Sequence, residues 1–338
     1  LIVVIAGKSA FGKRASAERE SSPVPVNLNV TLTNEMSDTS SLAGFDRMVK
    51  NYLTYWAIHG ASLSVMRNDS LLFAKGYGEA DSGLEMQPGY ILRMASVSKL
   101  VTAAGIMVLQ DRGLLNIKDH VFGPDGILND STYNAAIKDT LYYRITVEDL
   151  LRHKGGFSRR GGDPMFSTRW IMMQNGWSEV PTQEQLMELQ LKRRLKFVPG
   201  TAQEYSNFGY LALSMVIEKV SGMDYETFMQ ENVLRPIGCV DFHIAGNYYK
   251  HKLPNETRYY VQHDDEPAEE FNNSGRKVIR CYGGNNVTGL SGAGAWAAST
   301  PELALLVASI DGRPEVPDII SKESVDQMTE YFDESTYS

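Results

Sequence analysis

The chain has 338 residues, 43% of them hydrophobic and 22% charged, which is enough apolar material for one large domain or two intertwined subdomains around a substantial core. Its formal net charge of -8 argues against nucleic acid as a partner, because phosphate binding needs a basic surface. Two cysteines, Cys239 and Cys281, exclude a disulfide scaffold or a cysteine-rich metal site and leave a single disulfide open, and no HExxH pairing supports a zincin centre.

In chain order, residues 1–7 form an apolar run far shorter than the roughly 20 residues that span a bilayer. The run reads as the tail of a signal sequence or membrane anchor, with an ordinary buried strand as the alternative. Lys8, Lys13 and Arg14 just behind it speak against a simple cleaved signal peptide. Residues 1–40, rich in Ser, Thr, Asn and Pro, are expected to be an anchor remnant and linker, and residues 41–338 the folded domain. Helical spacing begins at Leu42 and continues through Phe45, Met48, Val49 and Leu53. Residues 61–66 alternate, 67–70 turn and 71–78 return, which is a β-hairpin signal. From Ser96 to about Gly113 the pattern is helical and apolar on nearly every side, so this helix is expected to be buried, with Gly113 as its C′ residue.

A further helix is expected from Thr146, with that threonine as its cap. Two more span about 181–195 and 208–234, the latter ending before Pro236. Residues 289–297 are small and read as a flexible loop. Ser299-Thr300-Pro301-Glu302 then opens another helix with a cap and a first-turn proline. Early strands and a helix-rich middle, roughly 115–240, point to an α+β fold in which helices pack against an antiparallel sheet.

Ser96-Val97-Ser98-Lys99 matches S-x-x-K. On a helix, residues three apart share a face, so the hydroxyl and the amine can meet. A lysine can take the serine proton if burial lowers its pKa, and a serine at the first turn lies beside free backbone N–H groups that can hold an oxyanion. The motif alone is weak, since about one chance match is expected in a chain this long. Ser274-Gly275-Arg276-Lys277 fits the same pattern, but its polar, Gly- and Asn-containing surroundings have no helix behind them. Tyr205-Ser206-Asn207 adds the second element, at the head of an apolar helix. Its tyrosine can shuttle a proton to a leaving group, and its asparagine can donate to a substrate carbonyl and hold Lys99.

Ser96-x-x-Lys99 followed by Tyr205-x-Asn207 resembles the β-lactamase-related serine hydrolases, a family of class C β-lactamases, D,D-peptidases and some esterases. Gly60-Ala61-Ser62-Leu63-Ser64-Val65 with Gly76-Tyr77-Gly78 is similar to the family's early hairpin. The segment from Ile145 to His153 is similar to the one ending in its His-Thr-Ser-Gly turn. Pro199-Gly200, residues 218–222 and residues 234–238 also fit, so the similarity covers about residues 42–310.

The resemblance implies a β-lactamase/transpeptidase-like fold, with an antiparallel sheet flanked by helices plus a mostly helical subdomain. It implies acyl-enzyme hydrolysis of amide, β-lactam or ester bonds, with Ser96 as nucleophile, Lys99 as base, Tyr205 as proton shuttle and Asn207 positioning substrate. It implies no metal and no cofactor. The expected substrate is a small molecule or a peptidoglycan-like peptide, and the expected place is the bacterial cell envelope or periplasm.

One family element is missing. No Lys/His/Arg-Thr/Ser-Gly triplet, the strand motif supplying the second oxyanion donor, follows Tyr205. His153-Lys154-Gly155-Gly156 precedes it and matches the structural turn instead. The resemblance therefore implies that the C-terminal strands lie outside these 338 residues or come from elsewhere. Losing one such donor costs about 2.7–4 kcal/mol in the transition state. The alternative function is thus a catalytically weak or inactive penicillin-binding-like sensor of cell-wall fragments. A generic α/β-hydrolase is disfavoured, because no G-x-S-x-G surrounds Ser96.

Overall fold

The computed structural model describes residues 2–7, 27–159, 162–261 and 267–330. Its main sheet has the order β1-β2-β3-β4: β1 is Ile2–Gly7, β2 Gly60–Arg67, β3 Ser70–Asp81 and β4 Leu84–Glu85. β2 and β3 form the expected antiparallel hairpin, turning through Asn68 and Asp69 in left-handed conformation. β1 departs from the expected all-antiparallel sheet, because it pairs parallel to the free edge of β2. The segment placed in an anchor remnant by its sequence is thus a strand, in keeping with the high β propensity of Ile2, Val3, Val4 and Ile5. The polar tether expected around residues 16–23 lies outside the described residues.

The end of the expected linker is also part of the domain. After the short helix α1, Leu28–Thr31, the buried Asn34 docks on the hairpin, its amide donating to the Met86 carbonyl (2.8 Å) and accepting from the Gly76 N–H (2.8 Å). Helix α2, Ala43–Tyr55, starts where the periodicity places it and packs Phe45, Val49 and Leu53 on Leu63, Phe73 and Tyr77. The opposite face of β2 is buried as well. Ser62 and Ser64 both reach the Thr300 hydroxyl at 2.8 Å, so the alternation in the sequence marks two buried faces and not one dry and one wet.

A second small sheet runs β5-β9-β6, with β5 Leu92–Arg93, β6 His243–Ile244 and β9 Trp296–Ala298, and a third pairs β7 Ala268–Glu269 with β8 Lys277–Val278. The helical body holds α3 Ser98–Asp111, α4 Ser131–Ala136, α5 Val147–Leu151, α6 Thr168–Asn175, α7 Gln183–Leu191, α8 Asn207–Ser221 and α9 Tyr225–Met229. Helices α10, Thr300–Ala308, and α11, Lys322–Thr329, follow. α3 and α8 lie at the centre, sheathed by Ile106, Leu109, Phe208, Leu211 and Val216, all nearly inaccessible to water. Burying each such side chain contributes roughly 1.5–3 kcal/mol. The packing around α3 is close: a Cβ on Gly105 would stand 2.4 Å from the Met229 sulfur of α9 and 3.2 Å from the Ile217 side chain of α8.

The caps read from the sequence are present. Thr146 forms a capping box with Asp149, and the Ser299 hydroxyl accepts from the Glu302 N–H. The helix expected over 208–234 is two helices, because Gly222 takes φ +70° and ends α8 before Asp224 caps α9. The region read as a flexible loop is a 3-10 turn, Thr288–Ala293, buried from Leu290 onward and followed by the buried strand β9. No disulfide joins Cys239 and Cys281. No helix among the described residues is long and apolar enough to cross a membrane.

Candidate active site

The site forms where α3 begins. Strand β5 is clamped to β9, the Met94 N–H donating to the Trp296 carbonyl (2.8 Å) and the Trp296 N–H to the Ser98 hydroxyl (3.1 Å). Between these clamps the chain turns sharply. Ala95 takes φ +47°, in the left-handed region that costs a residue with a Cβ about 1–3 kcal/mol, and Ala95–Val97 form one 3-10 turn leading into α3. This turn leaves Ser96 exposed, while Lys99, one helical turn on, is buried at 7% exposure. Its position in the first turn puts the Ser96 N–H among the helix-start donors that have no intrahelical acceptor.

Lys99 Nζ donates to the Asn207 Oδ1 (2.8 Å) and the Ala293 carbonyl (2.6 Å), and stands 3.4 Å from the Ser96 Oγ. The Tyr205 hydroxyl donates to Ser96 Oγ at 2.6 Å. The structure therefore brings together all four residues singled out by sequence: Ser96, Lys99, Tyr205 and Asn207. Burial lowers the Lys99 pKa from its ordinary value, while Tyr205 and the Asp163 carboxylate pull the other way. The rings of Tyr205 and Tyr210 also face the amine, with centroids 4.8 Å and 5.4 Å away.

Asn207 is the first residue of α8, and the cap is its neighbour Ser206, whose hydroxyl accepts from the Gly209 N–H (3.0 Å). One of the two hydrogens of the Asn207 amide goes to Asp163 Oδ2 at 2.7 Å. His153 backs the site from the turn after α5. Its Nδ1 accepts from the Ser206 N–H (3.2 Å), and its ring lies 4.5 Å from that of Tyr205. Burial, reinforced by the Lys99 charge, pushes His153 down to about 4, so it is a neutral wedge behind the tyrosine.

The decoy motif comes apart: Ser274 bonds to Glu270 and Lys277 to Glu269. Three participants carried no signal in the sequence. Ala293 acts through its backbone, which no side-chain pattern reports. Asp163-Pro164 reads only as a turn, and Tyr210 as another apolar position of α8.

The profile described as Beta-lactamase matches residues 45–337. The D-alanyl-D-alanine-carboxypeptidase/endopeptidase AmpH of Escherichia coli is 28% identical over 191 residues, 54% of this chain and 44% of that protein. Among solved structures, D-amino acid amidase from Ochrobactrum anthropi superposes with a TM-score of 0.62 at 18% identity, over 85% of this chain and 74% of that one. The octameric penicillin-binding protein homologue from Pyrococcus abyssi gives a TM-score of 0.61 at 22% identity, over 84% of this chain and 59% of that one. The chain spans less than half the length of the curated relatives it matches, between 37% and 48% for the first of them.

Proposed function

The chain belongs to the β-lactamase family, and from that premise we propose that it is a serine hydrolase cleaving amide, β-lactam or ester bonds through an acyl-enzyme on Ser96. One observation carries the reading. An exposed hydroxyl sits between two proton-handling groups, the Tyr205 hydroxyl at 2.6 Å and a buried amine at 3.4 Å.

The bonding directions of Lys99 set the chemistry. A neutral amine has two hydrogens and one lone pair. The carbonyl oxygens of Asn207 and Ala293 take the hydrogens, so the lone pair is left for the hydrogen of Ser96. Ser96 gives its proton to Lys99 as Oγ bonds to the substrate carbonyl carbon. The carbonyl oxygen becomes an oxyanion beside the Ser96 N–H. Tyr205 then protonates the leaving nitrogen or oxygen as the carbonyl re-forms, and recovers a proton from the Lys99 ammonium. Water attacks the ester so formed, its proton passing to the same pair, and Ser96 leaves as the free hydroxyl. We assign Asn207 to holding Lys99.

The substrate class proposed is a small amide or ester or a peptidoglycan-like peptide, in a cell-envelope setting. The name of the AmpH relative and the fold shared with the amidase support it.

A chromogenic cephalosporin, a p-nitrophenyl ester series and D-alanyl-D-alanine peptides, each with Ser96→Ala as control, test the proposal. Turnover by the wild-type chain that the variant loses is the expected result. Stable labelling of Ser96 without turnover indicates the sensor alternative, and neither labelling nor turnover overturns the proposal.

A further inference from the structure

We propose that Asp163 is a positioning residue for this site: through Asn207 it fixes which end of an amide faces Lys99. The inference rests on the reading of Ser96 as nucleophile and Lys99 as base.

A carboxamide has one accepting and one donating end of nearly equal size, so an asparagine beside an amine can be seated either way round. The two seatings are not equivalent for the chemistry. With Oδ1 towards Lys99 the amide takes a lysine hydrogen and leaves the lone pair for Ser96. With Nδ2 towards Lys99 it presents hydrogens to the amine, which repel the ammonium or occupy the lone pair needed for the Ser96 proton.

Asp163 decides between them. A carboxylate accepts and does not donate, so its Oδ2, 2.7 Å away, is served only by the Nδ2 end of Asn207. Oδ1 is then directed at Lys99 Nζ at 2.8 Å. The carboxylate is itself held: its Oδ1 accepts from the Met165 N–H (2.9 Å) as the cap of a 3-10 turn, Pro164–Phe166. Pro164 fixes the backbone next to it and the buried Met165 anchors the turn. A rigid turn, a fixed carboxylate and a fixed amide thus form a chain ending at the lysine.

The same chain carries charge. The side chains that face Lys99 are Ser96 on α3's first turn, Tyr205 and Asn207 at the head of α8, Tyr210 within it, and His153 behind. Asp163, one bond further out, is the carboxylate of this group among the described residues, and it favours the ammonium form.

Two variants of the full chain separate orientation from charge. Asp163→Asn can still offer a carbonyl oxygen to Asn207, so it keeps kcat within about tenfold, while loss of the negative charge moves the acid limb of kcat/KM to lower pH. Asp163→Ala can hold neither end of the amide and lowers kcat about 10²-fold, the penalty typical of a small misplacement of reacting groups, with KM little changed. Titration of Lys99 by side-chain NMR reads the contact without substrate: its pKa falls in Asp163→Asn. A wild-type Lys99 titration in that variant, or wild-type kcat in a folded Asp163→Ala, overturns the inference. Should Asp163→Ala fail to fold, Asp163→Ser, which keeps a hydroxyl cap for the turn but is too short to hold the Asn207 amide, takes its place with the same expected loss of kcat. Absence of Ser96-dependent turnover in the wild type would instead sink the hydrolase reading, with the titration still judging Asp163.

Discussion

At the residue scale the proposed chemistry depends on contrast in exposure: a hydroxyl in the open, an amine 7% exposed, and a tyrosine 39% exposed that bridges the two environments. Burial lowers the Lys99 pKa, so the fraction of neutral base, and with it kcat/KM, rises as pH rises through that pKa. Tyr205→Phe keeps the ring beside the amine and removes only the hydroxyl. It is expected to lower kcat about 10²–10⁴-fold, the usual contribution of a positioned proton-transfer group, while leaving the melting temperature unchanged. Steady-state kinetics beside a thermal melt check both halves of that statement.

At the scale of elements, the hairpin, the helix from Ser96 and the caps at Thr146 and Ser299 were legible because each is specified by adjacent residues: alternation, apolar period, a hydroxyl before an acidic first turn. The division of 208–234 was less so, since Gly222 interrupts an apolar pattern that continues on both sides. Ser96, Lys99, Tyr205 and Asn207 could be picked out as side chains with spacing, whereas Asp163 and the Ala293 carbonyl could not. One contributes through another residue's amide and the other through its backbone. The buried face of β2 was hidden for a related reason, because serines there look like a wet face until Thr300 covers them. Thr300→Val keeps the shape and leaves the Ser62 and Ser64 hydroxyls without that partner, which is expected to cost roughly 1–3 kcal/mol for each unpaired group. The triple variant Ser62→Ala, Ser64→Ala, Thr300→Val should recover much of the loss, and chemical denaturation of the set measures both.

For the whole molecule, two histidines shape the dependence of stability on pH in opposite senses. His153 is pushed down to about 4 by burial and the Lys99 charge, so between its ordinary value of 6.5 and about 4 the unfolded chain takes up a proton that the folded chain refuses. Stability therefore falls as pH drops through that window. His243 is raised to about 9 by a hydrogen bond to Asp241 (3.0 Å) and by the Glu226 carboxylate 3.6 Å away, against the cost of burial. Its contribution is complete below 6.5 and is lost as pH climbs through 9. Melting temperature against pH should peak near 6.5, with His243→Gln flattening the alkaline slope and His153→Gln the acidic one. The lysine contacts reach across the same whole. Asn207 lies 108 positions and Ala293 194 positions downstream of Lys99. A nascent polypeptide that has emerged from the ribosome only to about residue 200 holds the serine but not the later segments that take the hydrogens of the amine and help to bury it. On the proposed mechanism it stays inert towards carbonyl compounds until the late segments dock, so acquisition of acylating power reports completion of folding.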